Sequence, residues 1–148
     1  MGTATATITG IGNYSGTKIQ TFSIVAKAAS TLSIDPIANQ NFTGNALTPA
    51  VVVKDGSRTL TLGTDYTSSY TNHVNVGTAT VTITGAGNYT GTKIQTFVII
   101  AKTASMLNID PIANQTYTGS ALAPAVVVKD GSTTLTLGTD YALAYSNN

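Results

Sequence analysis

The sequence predicts an all-β protein built from tandem copies of a short antiparallel β-sandwich, with no significant helix. Three observations predict it. Apolar and polar residues alternate with period two in several short runs, and turn-forming Gly, Asn and Asp separate those runs. No stretch carries the 3.6-residue apolar period of an amphipathic helix. The third observation is an internal repeat: displaced by 75 residues, positions 2–73 overlay 77–148 without a gap, and 54 of those 72 positions are identical. Similarity of that kind means that both copies share one fold.

One whole unit is expected over 31–101. Leu32 to Ile34 and Asn41 to Thr43 are weak strands, interrupted by Asp35-Pro36, where proline suits an edge or a strand switch. Pro49 to Lys54 is a short strand whose nearly continuous apolar run predicts cover on both faces. Asp55-Gly56 is a hairpin signal, and Thr59 to Leu62 resumes the alternation. Gly63-Thr64-Asp65 turns the chain into a strand from Tyr66 to Tyr70, and Asn72-His73-Val74-Asn75 turns it again. Gly77 to Thr84 alternates strictly: Ala79, Val81 and Ile83 point inward, and Thr78, Thr80, Thr82 and Thr84 point outward. Threonine is β-branched, so it favours extended backbone while its hydroxyl faces water. A loop through Gly87 and Asn88, residues that tolerate positive φ, leads into the last strand, Lys93 to Ile100.

The unit boundaries are expected at Lys27-Ala28-Ala29-Ser30 and at its copy Lys102-Thr103-Ala104-Ser105, which are short and lack turn chemistry. On that division residues 1–30 are the C-terminal part of one unit and residues 102–148 the N-terminal part of a following one. The array is expected to continue beyond both ends. Each partial unit then leaves sheet edges and apolar faces uncovered, an arrangement prone to association.

Composition narrows the functional classes. Of the 148 residues, seven are Lys or Arg and six are Asp or Glu (all Asp), for a net charge of +1, so no nucleic-acid footprint is visible. No cysteine is present for disulfides, thiol chemistry or zinc, and threonine supplies 28 residues. The longest apolar runs are too short to span a bilayer, which takes about 20 residues. Met1 to Thr5 has neither the basic region nor the apolar run of a signal peptide.

The segments Tyr117-Thr118-Gly119, Ala121 to Gly131 and Leu137-Gly138-Thr139-Asp140-Tyr141 form one characteristic phrase. Gly77 to Gly85, Gly87-Asn88-Tyr89-Thr90-Gly91-Thr92 and Phe97 form another. Together they resemble the all-β tandem repeats of large bacterial cell-surface proteins, described as Ig-like or mostly-β-grasp modules. The resemblance implies an Ig-like sandwich, or alternatively a β-grasp-like strand order. It also implies a spacer, stalk or sometimes adhesive role, an extracellular location, a module end at Phe97-Val98-Ile99, and no catalytic residues.

Candidate chemistry is sparse. Asp35, Asp55 and Asp65 recur as Asp110, Asp130 and Asp140, all in turn-rich sequence, and are expected to cap turns. Asp55-Gly56, Asp130-Gly131 and Gly87-Asn88 are the structural hairpin residues. Clustered carboxylates of the kind that hold calcium are absent from the sequence. His73 aligns with Asn148, which suits an exposed turn better than a ligand or a base. Gly10-Ile11-Gly12-Asn13 has no following helix to bind phosphate. Lys18, Lys54 and Lys93 were weighed for a Lys–Asn cross-link, a bond disfavoured by the lack of Glu as a proton shuttle. Four segments beginning at Asn13, Asn41, Asn88 and Asn114 match the glycosylation acceptor pattern. Thr rows suggest ice binding, but one Thr strand per repeat does not make a flat ladder. Tyr14, Tyr89, Tyr70 and Tyr145 are candidate ligand contacts, for example to a glycan, although closing the sandwich ends is the simpler role.

The sequence therefore points to a non-enzymatic structural module without cofactors: a spacer in a surface protein, or a filament building block. Its partners would be adjacent repeats or copies of itself, joined head to tail by strand complementation into a ring or a fibre. An adhesive or carbohydrate-binding module and a phage decoration domain are the alternatives.

Overall fold

The computed structural model describes residues 1–147; Asn148, the counterpart of His73, lies outside the described residues. The chain is all-β, with 43 % strand, 4 % helix and no helix of seven residues or more. It divides into two compact units, Met1–Ala101 and Lys102–Asn148.

The first unit opens with β1 (Gly2–Thr9) and β2 (Thr17–Ile24). They pair antiparallel from Gly2↔Ile24 to Thr9↔Thr17 and form a two-stranded sheet of their own. The body follows as β3 (Lys27–Ala28), a 3-10 turn (Ala29–Thr31), β4 (Ser33–Ile34), β5 (Gln40–Asn41), β6 (Val53–Asp55) and β7 (Arg58–Thr59). It is completed by β8 (Tyr66–Thr71), β9 (Gly77–Gly85), β10 (Tyr89–Thr90) and β11 (Thr92–Ile100). A four-stranded sheet in the order β5-β11-β9-β8 faces a three-stranded sheet β4-β6-β7 across the core, and β10 pairs with β3.

The two longest strands follow the sequence pattern. β9 buries Ala79, Val81 and Ile83 and turns its threonines outward, and β11 buries Phe97 and Ile99. The core consists of two neighbouring clusters. Ala29, Leu32, Val53, Leu60, Tyr66, Val81, Ile83 and Tyr89 make one, and Ala79, Phe97 and Ile99 the other. Ile37 and Tyr70 pack against both.

Three expectations need correction. The sandwich is not purely antiparallel, because β11 pairs with β5 and β10 pairs with β3 in parallel. Parallel partners require long connections, and here whole sheets intervene between them in the chain. The apolar run before Lys54 is ladder-paired only from Val53; Val51 packs on the core while Val52 is exposed, so the run is covered on one side. Lys27–Ser30 is not a free linker: β3 enters the ladder with β10, and Ala29 is fully buried.

The second unit contains a 3-10 turn (Ala104–Met106), β12 (Asn108–Ile109), β13 (Val128–Asp130) and β14 (Thr133–Thr134). Its sheet order, β12-β13-β14, reproduces β4-β6-β7.

Candidate functional site

The repeat supplies an internal control. The strands that the second copy retains pair with neighbours inside their own fragment. Those it lacks are the strands whose partners lie elsewhere. Residues 66–71 are a strand because they pair with β9, whereas 142–147 carry no strand assignment. β5 likewise depends on β11, and its copy at 115–116 is unpaired. β3 and β10 depend on each other, and neither 102–103 nor 14–15 is a strand. A strand edge without a ladder partner leaves its N–H and C=O groups to water or to another chain.

Side-chain burial tells the same story. Ile83, Phe97 and Tyr89 are 0, 3 and 6 % exposed, whereas their copies Ile8, Phe22 and Tyr14 are 61, 56 and 80 % exposed. In the second unit Asp140 and Ala104 are exposed, although Asp65 and Ala29 are buried. The inner face of the β1–β2 hairpin and the open face of 102–147 are thus two halves of one observed core. Each is presented without its complement, and together they form the candidate functional surface.

The polar groups around the complete core show how such halves are held. The Lys27 ammonium pairs with Asp55, and the Tyr89 hydroxyl donates to Asp55 Oδ2 at 3.3 Å. The Lys27 ion pair holds the Asp55 carboxyl below its ordinary range. The Lys27 N–H donates to the Asn88 carbonyl at 2.9 Å. Gly87 has φ 59°, and a Cβ there would meet the Thr64 carbonyl oxygen at 3.0 Å, so only glycine suits this close approach. The Lys93 ammonium donates to the carbonyls of Leu32 and, at 3.3 Å, Ser30, bolting β11 to the chain after the 3-10 turn.

The aspartates divide by role. Asp65 and Asp140 cap their own turns, accepting from the Thr61 and Thr136 N–H groups at 2.9 and 2.7 Å. Asp65 also pairs with Arg58 at 3.2 Å. The other four pair with lysines: Asp35 with Lys54, Asp110 with Lys129, Asp55 with Lys27 and Asp130 with Lys102. The tight β6–β7 loop is Gly56-Ser57, with Asp55 opposite Arg58 at its base, and Gly131 repeats the left-handed geometry of Gly56. Sequence reasoning missed these inter-strand ion pairs. The recurring signal was a lysine 28 residues before Asp55 and again before Asp130.

The tyrosine hydroxyls are turned into the protein. Tyr66 donates to the Val51 carbonyl at 3.0 Å and Tyr70 to that of Pro49 at 2.5 Å. Tyr141 and Tyr145 repeat these bonds to Val126 and Pro124. Desolvation raises the pKa of Tyr66 and Tyr70, and burial together with Asp55 raises that of Tyr89. Of the four candidate ligand contacts, Tyr70 and Tyr89 belong to the packed body, and Tyr14 stands at the hairpin loop. His73 lies 5.9 Å from the Tyr70 ring, in the loop between β8 and β9. Lys54 pairs with Asp35 and Lys93 with carbonyl oxygens, so the acceptors recorded for these two are not Asn side chains. Among the described residues no group of three or more His or acidic side chains is arranged to hold a metal ion. None of their helices is long and apolar enough to cross a membrane.

What the fold and this surface define is a class: an all-β repeat protein with uncompleted sheet faces. No family model, no curated protein and no solved structure matches the chain.

Proposed function

We propose that this chain is an extracellular structural repeat module, a spacer or stalk of a surface protein or a filament building block, whose terminal half-units are completed by neighbouring chains. One observation carries the reading. The same sequence that is buried and laddered in the complete copy is exposed and unladdered where its other half is missing. Exposed apolar sheet faces gain by burial, at about 25 cal/mol per Å². The face best shaped to bury them is the one already seen doing so in residues 27–101. The cell-surface location rests on the resemblance of the repeat phrases to surface-protein repeats. The internal hydrogen bonds of Tyr66 and Tyr70 favour a mechanical role over a sugar-binding platform.

Light scattering at rising protein concentration tests it. The expected result is growth into oligomers or polymers that urea disperses. A folded monomer at every concentration overturns completion by neighbouring chains.

A further inference from the structure

We infer that the occupant of the open face of residues 102–147 is the β1–β2 hairpin of a second copy of this chain, seated in one register and matched there by Ala6 against Leu143. The inference rests on the assembly reading and names its partner and its fit.

The complete body gives the register. Ile99↔Gln40 and Ile100↔Asn41 place Ile24 beside Gln115 and Val25 beside Thr116 of the neighbour. Tyr66↔Gly85 through Thr71↔Thr80 place Gly10 beside Tyr141 and Ala6 beside Tyr145. Tyr89↔Lys27 places Tyr14 beside Lys102. The anchors are retained in sequence. Lys18 takes the place of Lys93 and reaches the carbonyls of Ser105 and Leu107. Tyr14 takes the place of Tyr89 and donates to Asp130, which already holds Lys102.

Selectivity comes from the few positions that differ. In the body, fully buried Val81 lies on the inner face opposite Tyr70, and half-buried Ser68 lies on that face opposite Ile83. The hairpin has Ala6 where the body has Val81, and the second unit has Leu143 where the body has Ser68. These positions are diagonal neighbours on one face of adjacent strands, within reach of a leucine. Volume lost on the hairpin is therefore restored on the surface that receives it. A Leu at the position of Ser68 would crowd Val81, and a Ser opposite Ala6 would leave a void. The hairpin of one copy thus fits the open face of 102–147 better than it fits a front half of the body type, which fixes a head-to-tail contact.

The chain has no cysteine, so introduced thiols report proximity without background. Val25→Cys and Thr116→Cys are made as separate variants, mixed, and oxidised with glutathione disulfide. The expected product is the mixed dimer in excess over either homodimer, and the double variant gives a ladder of covalent multimers. Leu143→Ser on the Thr116→Cys chain should weaken mixed-dimer formation roughly tenfold, from lost buried methylene contact. Restoring volume with Ala6→Val on the partner should recover it. Homodimers in statistical proportion, or no change with Leu143→Ser, overturn the inference. So does a double variant that closes its disulfide within a monomer. Association by light scattering without the mixed disulfide overturns this register and leaves the assembly reading standing, whereas loss of both removes the two together.

Discussion

Ile83 and Ile8 are the same residue of the repeat in two environments, and trimming each by one methylene measures the difference. Ile83 is 0 % exposed and lies in the main core cluster. Ile83→Val removes one buried carbon, about 0.8 kcal/mol by transfer, and a small residual cavity brings the loss to about 1 kcal/mol. For a body of this size the urea slope is about 1 kcal/mol per M, so the midpoint should fall by about 1 M. Ile8 is 61 % exposed, so at most two fifths of that transfer is at stake, about 0.3 kcal/mol. Its hairpin is a separate two-stranded sheet, which contributes little to the cooperative transition of the body. Ile8→Val should leave the midpoint unchanged. The assay is urea unfolding followed by near-ultraviolet circular dichroism of the tyrosines, in protein dilute enough to stay dissociated. Equal shifts for the two variants would refute the reasoning, because Ile8 would then already be packed within its own chain.

Three further outcomes follow from the same structure. Asp65→Ala strips the acceptor from the Thr61 N–H and the partner from Arg58 at a buried position, and should cost about 1–3 kcal/mol in denaturant unfolding, whereas exposed Asp140→Ala should cost much less. The Asp55 carboxyl titrates below its ordinary value of 3.8 because of Lys27, so its contribution is present above that value and is lost as pH falls through the lower folded pKa; acid titration of Lys27→Met should show this portion of the decline removed. Gly87→Ala meets both a left-handed backbone and the Thr64 carbonyl and should lower thermal stability by about 1 kcal/mol or more, while Gly12→Ala, at φ 67° with open space around it, incurs only the backbone penalty in its free hairpin.

Much of the candidate surface was legible in the sequence because its signals are local. The alternation in Gly77 to Thr84 needs only the two-residue period of a strand, and β9 buries Ala79, Val81 and Ile83 accordingly. The 75-residue offset announces that positions such as Ile8 and Ile83 share one role. The lysine–aspartate pairs were not legible. Lys27 and Asp55 stand far apart along the chain, and only the approach of β3 and β10 beside the end of β6 brings them together.

By itself the amino-acid sequence determined the all-β character, the two long strands, the inward and outward faces and the existence of two copies. These follow from side-chain alternation and turn chemistry, which act over a few residues. Only the tertiary structure decided the strand order and the parallel pairings of β5 with β11 and β3 with β10. It alone drew Lys27–Ser30 into the body and turned the tyrosine hydroxyls onto backbone carbonyls. Pairing is chosen by the burial that all strands achieve together, so a segment such as 142–147 has strand-forming sequence and still no strand without its partner.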